Sequence, residues 1–380
     1  MGIHKTCVIS AKVTDTVWLF LMPFVGLLRE QGYMVKVIAG EGKYAYTLQS
    51  NDLILEKVDY QFTLNPIKFL NLFTKTRNFL LDENPFILIC NDPSASFITR
   101  LAAKSAGIKN IIYFCHGLPF APHSNLLEKI FFYTLEKLAS YFTDAVITMN
   151  SYDYTIGKKF YKKVYRINGV GVNLSQYNSA YKEARLDIQK KLGISENSTV
   201  IAFIGRLISQ KGIWFLLNAS KELIHKRGKE IIFLIIGEGP LKEDISKFIK
   251  INDLADSVKF LGYSENVQDL LGAIDILVLP TYYTEGLPRI ILEAMASGVP
   301  IIATNVRGCQ DIIDNGVDGI LIPFKNSKSI INAIEKLIDD KEFYERLKHN
   351  AYQKIIKSYA TPVVLDQFDN IIKDFLLHKN

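Results

Sequence analysis

Residues 276–304 read Ile-Leu-Val-Leu-Pro-Thr-Tyr-Tyr-Thr-Glu-Gly-Leu-Pro-Arg-Ile-Ile-Leu-Glu-Ala-Met-Ala-Ser-Gly-Val-Pro-Ile-Ile-Ala-Thr. The apolar runs at its two ends, 276–279 and 301–304, have the length and composition of buried strands. Between them Glu285-Gly286-Leu287-Pro288 reads as a turn. A helix follows to Ser297, with Pro288 at its first position and Gly298 and Pro300 as its stop. Strand, loop, helix and strand in one short stretch make a β-α-β unit, so the two strands are parallel and the helix covers the sheet. Two carboxylates, Glu285 and Glu293, bracket the turn and the start of the helix, and Glu293 is the only charge between Ile290 and Ala296. A carboxylate on so apolar a helix is costly to bury unless it is paired or hydrogen-bonded. Either it faces a cleft where hydroxyl or N–H groups meet it, or it snorkels to solvent and Glu285 serves as a capping acid.

The same alternation extends in both directions. Residues 6–10 predict a first strand, 16–31 a helix ended by Gly32, and 34–39 a second strand. Further strands are expected at 86–90, 110–115, 145–149 and 164–167. Asn168-Gly169-Val170-Gly171-Val172-Asn173 is a turn-rich break and the best linker, after which strands are expected at 200–204, 231–236, 258–261, 276–279, 301–304 and 319–322. The chain is therefore read as α/β, with two Rossmann-like doubly wound domains at 1–172 and 173–358 and a helical tail at 359–380. A length of 380 residues also favours two hydrophobic cores over one.

Composition narrows the class. With 48% apolar and 22% charged residues, the chain is an ordinary folded protein. Four scattered cysteines, with no Cys-x-x-Cys pair, argue against zinc and against a disulfide framework, and fit a reducing cytosol. The longest uncharged apolar stretch, 17–28, contains Pro23 and Gly26 and is too short to span a bilayer; no cleavage site follows it. The reading predicts neither a membrane span nor secretion. Residues 1–180 hold 19 Lys and Arg against 13 Asp and Glu, which accounts for the whole net charge of +6. Its densest part, Lys158-Lys159-Phe160-Tyr161-Lys162-Lys163-Val164-Tyr165-Arg166, interleaves cations and aromatics. That segment suits an anionic membrane surface or a phosphorylated acceptor, and equally a solvated helix face and edge strand. Nucleic acid is disfavoured, because no recognition motif accompanies the charge.

Ligands of parallel sheets bind beyond the strands' carboxyl ends, so the residues just past each strand of the second half are informative. After Ile204 come Gly205, Arg206, Lys211 and Gly212; after Ile236, Gly237, Glu238 and Gly239; after Leu261, Gly262 and Tyr263; after Leu279, the loop to Glu285, Gly286, Leu287 and Pro288. Glycines admit close backbone approach, Arg206 and Lys211 can neutralise a diphosphate, and the helix start adds aligned amides. Glu293 is suited to a ribose diol and Glu285 to hydroxyls of a second sugar. A diphosphate between two sugars is a nucleotide-sugar. No Walker A sequence is present, and Gly237-Glu238-Gly239 lacks the third glycine of a dinucleotide fingerprint.

On these residues the chain resembles the retaining glycosyltransferases of the GT-B type, in the large family 4 that includes capsule, O-antigen and lipid-linked glycan enzymes. The resemblance is carried by Gly205-Arg206-Leu207 with Lys211-Gly212, Gly237-Glu238-Gly239-Pro240, Pro280, Glu285-Gly286-Leu287-Pro288, Leu292-Glu293-Ala294-Met295-Ala296, Gly298-Val299-Pro300 and Asn315-Gly316-Val317-Asp318-Gly319. In the first half it rests on strand pattern and His116-Gly117.

The resemblance implies two domains facing a central cleft, with the tail crossing back to the first. It also implies that Arg206 and Lys211 grip the donor diphosphate, Glu293 the ribose and Glu285 the transferred sugar. His116 would reach toward the reacting carbon; without the resemblance it reads equally as a satisfied core histidine. Transfer would proceed with retention, without cofactor or metal, from a nucleotide-sugar (UDP-linked) carrying a hexose or N-acetylhexosamine. The acceptor would be a glycan, polyprenyl-diphosphate-linked, at the inner face of the cytoplasmic membrane. One departure concerns the first strand, which is followed by Ser10-Ala11-Lys12-Val13-Thr14-Asp15-Thr16 rather than a glycine-rich loop, leaving Lys12 and Thr14 as substitute acceptor contacts. A second is Arg307-Gly308-Cys309-Gln310 in place of a pair of glycines before Asp311. The competing readings are a non-hydrolysing nucleotide-sugar epimerase and a non-catalytic nucleotide-sugar-binding subunit.

Overall fold

The computed structural model describes residues 5–61, 63, 65–119, 126–177, 181–283 and 285–378; Thr284 of the loop and the last two residues of the tail lie outside them. The chain forms two compact units, residues 1–170 with 361–380, and residues 171–360. Each carries its own parallel sheet.

The first sheet comprises β1 (Thr6–Val13), β2 (Met34–Gly40), β3 (Ile54–Lys57), β4 (Ile87–Cys90), β5 (Ile111–Cys115), β6 (Ala145–Thr148) and β7 (Val164–Arg166). Its order is β3-β2-β1-β4-β5-β6-β7, with every pair parallel. β4, β5 and β6 are buried at every position, as strands covered by helices on both faces must be. The strand absent from the sequence reading is β3. Its four residues, Ile-Leu-Glu-Lys, include no fully buried one, because an edge strand needs no continuous apolar run.

Two further differences lie at the start of the chain. β1 continues to Val13, so residues 11–13, expected as loop, are strand, and helix begins at once with Thr14–Thr16. The helix expected at 16–31 is π-helical over Val17–Leu21 before becoming the α-helix Met22–Glu30. Pro23 is the physical reason: it has no N–H to donate, and its ring crowds the carbonyl one turn back, so the ladder widens there.

The tail helix Thr361–Leu377 buries Val364, Phe368, Ile372 and Phe375, a single stripe at helical spacing. Phe368 meets Phe24 edge-on at 4.8 Å, and Tyr165 Oη donates to Asp374 at 2.6 Å, so the tail seals one flank of this unit.

The second sheet comprises β8 (Thr199–Ile204), β9 (Ile231–Ile236), β10 (Val258–Gly262), β11 (Ile276–Leu279), β12 (Ile301–Thr304) and β13 (Ile320–Ile322). Its order is β10-β9-β8-β11-β12-β13, again all parallel. β8 sends Val200, Ala202 and Ile204 to one core and Ile201 and Phe203 to the other, the alternation of a strand buried on both faces. Two such sheets are the Rossmann-like, doubly wound α/β architecture. In each the order reverses beside the first strand, at β1/β4 and at β8/β11. There the loops leaving the two carboxyl ends run in opposite directions and leave a crevice.

A buried ion pair braces the first unit. Arg100, on the helix Pro93–Ser105, is fully buried; its guanidinium donates to Glu136 Oε1 and Tyr161 Oη, each at 3.0 Å, and lies 4.2 Å from the centre of the Tyr113 ring. Removing one partner strands the other charge, which costs about 3–5 kcal/mol, whereas replacing both with apolar residues costs little. Arg100→Met should therefore lower the urea midpoint sharply, and Arg100→Met with Glu136→Leu should recover most of the loss. Equal loss in the single and double variants would contradict this account.

Candidate active site

The crevice between β8 and β11 is built by backbone contact. The loop leaving β8 makes a short turn at Ser209–Lys211 and ends at Gly212, whose φ is +71°. A Cβ at Gly212 would lie 1.9 Å from the Pro280 carbonyl oxygen, so the β8 and β11 loops touch where only glycine fits. Tyr282 N–H donates to the Gln210 carbonyl at 3.0 Å and ties the two loops again. Thr281, fully buried, holds its hydroxyl 3.1 Å from the Gln210 carbonyl, 3.3 Å from that of Tyr283 and 3.2 Å from Glu285 Oε1.

That scaffold sets the charged groups. Lys211 Nζ and Glu285 Oε1 are 2.5 Å apart, with side chains only 18% and 16% exposed. Glu285 is also anchored through its backbone: its N–H donates to the Arg307 carbonyl and Arg307 Nε donates to the Glu285 carbonyl, both at 3.3 Å. The resemblance gives Lys211 and Glu285 separate jobs, one on the diphosphate and one on the transferred sugar. The structure draws the two together in a half-buried pair. Beside them Cys309 is fully buried, and burial first, then the Glu285 carboxylate, pushes its thiol far up, so it is inert packing. Arg206, at the start of the β8 loop, is exposed and has no carboxylate partner among the described residues.

Glu293 sits on the helix Arg289–Ala296, which opens without a side-chain cap. Pro288, expected as the first helical residue, is instead the N-cap, its ψ of 107° being extended; its missing N–H is spared in either place. The Glu293 carboxylate is 2.7 Å from Arg289 Nε and accepts from the Tyr177 hydroxyl. Burial raises its pKa above the ordinary carboxylate value, against the opposing pull of Arg289 and then Tyr177. The carboxylate is thus met by polar partners and does not snorkel.

The glycines after β8, β9 and β10 do more than open room for a ligand. Gly237 has φ +144°, and a Cβ there would fall 1.9 Å from the Gly205 carbonyl oxygen. Its N–H donates to the Gly262 carbonyl at 2.7 Å, and Leu207 N–H donates to the Glu238 carbonyl at 2.8 Å. Gly205, Gly237 and Gly262 therefore stack three loops into one rim. Of the other rim positions, Tyr263 is 58% exposed, Leu287 packs against the core, and Gly286 lies in the turn ahead of Pro288.

In the first unit, His116 follows β5. Its Nε2 is 3.1 Å from Asn91 Oδ1, and the Asn91 amide nitrogen donates to the Ser10 carbonyl at 3.2 Å, which fixes that amide's orientation. Nε2 therefore carries the hydrogen and Nδ1 is left as an acceptor. Phe114 and Phe20 lie 5.2 and 6.4 Å from the imidazole, centre to centre. Burial lowers its pKa, and Asp92 pulls the other way more weakly, so the ring is neutral at pH 7. Lys12 is exposed on β1, with its N–H donating to Asp92 Oδ2 at 2.8 Å. Thr14 is fully buried, its hydroxyl without a partner among the described residues.

Residues the sequence reading missed are Asn91, Asp92, Tyr177, Thr281, Arg289 and Arg307. Asn91 and Asp92 follow β4 directly, and surveying the first half's strand ends would have found them. Arg289, four residues before Glu293 on one helix, was also legible as a pair. Tyr177, Thr281 and Arg307 reach their partners only through tertiary packing.

Residues 184–354 match the family described as glycosyl transferases group 1, and residues 11–150 the family described as glycosyl transferase 4-like. The chain belongs to the GT-B glycosyltransferases. It is 28% identical over 318 residues to the UDP-Gal:alpha-D-GlcNAc-diphosphoundecaprenol alpha-1,3-galactosyltransferase of Escherichia coli, covering 82% of this chain and 81% of the relative. It is 28% identical over 378 residues to the N,N'-diacetylbacillosaminyl-diphospho-undecaprenol alpha-1,3-N-acetylgalactosaminyltransferase of Campylobacter jejuni, covering 94% and 97%. Among solved structures, Anabaena HepE in complex with UDP-glucose superposes with a TM-score of 0.80 at 19% identity, over 98% of this chain and 100% of that one. WaaG, a glycosyltransferase of lipopolysaccharide biosynthesis, superposes with a TM-score of 0.76 at 15% identity, over 96% and 99%. The structural likenesses establish the two-domain GT-B fold.

Because burial depresses the folded-state pKa of His116 below its ordinary 6.5, the unfolded chain takes up the proton first as pH falls. The associated stability is full above about pH 6.5 and is lost as pH drops toward the folded value. His116→Gln should flatten that part of the pH–stability curve. Imidazole NMR should place the His116 midpoint below 6.5; a midpoint above it contradicts the burial argument.

Proposed function

We propose that this glycosyltransferase moves a hexose or N-acetylhexosamine from a UDP-sugar, with retention and without a metal or other cofactor, onto a polyprenyl-diphosphate-linked sugar in surface-polysaccharide assembly. The observation that carries the reading is the meeting, at the β8/β11 crevice, of Arg206, the Lys211–Glu285 pair and the uncapped start of the Arg289–Ala296 helix. Sugar and phosphate part through an oxocarbenium-like state, and negative charge gathers on the phosphate oxygens. Arg206, Lys211 and the helix amides are the preorganised positive groups for that charge, which is why no metal ion is required in this reading.

Lys211 rests against Glu285 and exchanges it for the diphosphate when donor binds. Glu285, released, then accepts hydroxyls of the transferred sugar, and Glu293 accepts those of the ribose. We assign His116 a hydrogen bond to the transferred sugar, since a neutral imidazole can make one without adding charge. In the reaction the C1–O bond to the diphosphate breaks and the C1–O bond to the acceptor hydroxyl forms on the same face. The hydroxyl proton passes to the departing phosphate oxygen, leaving UDP.

The names of the E. coli and C. jejuni relatives, one specifying UDP-Gal and both a diphosphoundecaprenol-linked sugar, support the donor and acceptor classes. A lipid-linked acceptor brings the enzyme to a membrane, and no helix among the described residues is long and apolar enough to cross one. We therefore place it peripherally on the inner face of the cytoplasmic membrane.

Arg206→Ala and Lys211→Ala should each lower kcat by about 10²–10³. Arg206→Ala should leave thermal unfolding unchanged, whereas Lys211→Ala, which strands the half-buried Glu285, should lower the unfolding temperature without abolishing the fold. Near-normal turnover by both would remove the assignment. Product NMR should show the donor's anomeric configuration retained, and excess EDTA should leave the rate unchanged. Donor incubated without acceptor should remain unconverted; its epimerisation would transfer the chain to a different reaction class.

A further inference from the structure

The helix Leu126–Ser140 is amphipathic the wrong way round. Its only fully buried residues are Glu136, held by Arg100, and Ala139, while Leu126, Ile130, Phe131 and Leu138 are 69%, 55%, 42% and 47% exposed. Placed at about 100° per residue, these four fall in one sector, roughly opposite Phe132, Glu136 and Ala139. Tyr141, 70% exposed, extends the strip just past the helix end. An ordinary surface helix would turn those side chains inward. Here the inward face is already occupied by Phe132 packing on the core and by the buried ion pair, so the outward face carries a second apolar stripe about 20 Å long.

At the carboxyl end of that stripe lies a cavity of about 260 Å³ whose lining includes Lys104, Lys137, Lys159 and Lys162. None of the four has a carboxylate partner among the described residues. The one acid in the lining, Asp144, accepts the Ile111 N–H at 2.9 Å. Tyr141 belongs to both features, so apolar strip and cationic pocket are continuous. Three other residues of the 158–166 segment have partners within this unit: Tyr161 bonds Arg100, Tyr165 bonds Asp374, and Lys163 bonds the His378 carbonyl.

We propose that this face docks on an anionic phospholipid bilayer, with the exposed side of the Leu126–Ser140 helix lying in the headgroup–acyl boundary and the lysine pocket taking a lipid phosphate. The proposal deepens the peripheral-membrane reading and rests on it, adding which surface does the work. Exposed leucine, isoleucine and aromatic side chains flanked by lysines are the chemistry of an interfacial helix. A soluble acidic partner would explain the lysines without the stripe, and an apolar partner the stripe without the lysines.

The test uses the full-length protein with sedimented vesicles of phosphatidylglycerol and phosphatidylethanolamine, compared with phosphatidylcholine alone. Wild type should bind the anionic vesicles, and Ile130→Glu with Phe131→Glu should reduce binding at least about tenfold. Lys137→Glu with Lys159→Glu and Lys162→Glu should do the same, since each lysine near an anionic leaflet is worth about a fivefold change. Both variants should keep the wild-type thermal stabilisation by UDP, which reports on the other unit. If wild type binds and both variants bind equally well, this surface is wrong while the membrane reading stands. If wild type binds no vesicle, both fall together. A wild-type dimer made monomeric by Ile130→Glu with Phe131→Glu, without vesicle binding, would give the face to a second copy and overturn the proposal.

Discussion

The Pro280 carbonyl oxygen occupies the space where a side chain at position 212 would begin, and much of the site depends on that approach. It brings the loop of β8 against the loop of β11, across the point where strand order reverses. Lys211 and Thr281 stand immediately beside the contact, and through them Glu285 is held. Neither loop contains regular structure long enough to position a side chain alone. Their mutual backbone contact makes a rigid platform from two irregular segments, so a cation and a carboxylate can be kept largely out of water at a defined spot. Charged groups on loops need such a scaffold if they are to be held at one position.

Charge in this crevice is arranged economically. Lys211 is balanced by Glu285 and Glu293 by Arg289 and Tyr177, so neither partly buried carboxylate is left without a partner. Arg206, by contrast, projects into solvent. A site built this way has its buried charges balanced within the protein, with one cation, Arg206, left exposed. The same principle operates at Arg100 in the first unit, where the pair with Glu136 is fully enclosed and has no ligand to meet. Buried charge there fixes how two helices and the 158–163 segment pack, and it leaves one helix with its apolar residues facing outward.

The β-α alternation was legible because buried parallel strands are short, apolar and nearly uninterrupted. Ile231–Ile236 and Ile276–Leu279 could be bounded to the residue. β3 was not legible, since an edge strand with a Glu and a Lys carries no such signal. Pro23 was visible in the sequence, but the five π-helical residues before it were not, because Val17–Leu21 carries the same apolar pattern as an α-helix. Arg206, Lys211 and Glu285 stood out in the sequence as charges on loops that follow strands, and Glu293 as the one charge between Ile290 and Ala296 of an apolar helix. That Lys211 and Glu285 touch was not legible, because 74 residues separate them. The sequence reads the glycines as room for ligand approach, whereas Gly237 is needed first by the backbone carbonyl of Gly205.

Residue order alone was enough for the class: two doubly wound parallel sheets, strand ends rich in glycine and cations, and a helix opening at Pro288. Those features are local, set by burial pattern and backbone chemistry within a few turns of chain. Folding in three dimensions selected which of the convergent groups meet, which glycines are demanded by neighbouring backbone, and which faces stay open to solvent. These depend on packing between segments far apart in the chain, and no local pattern encodes a distance across a sheet.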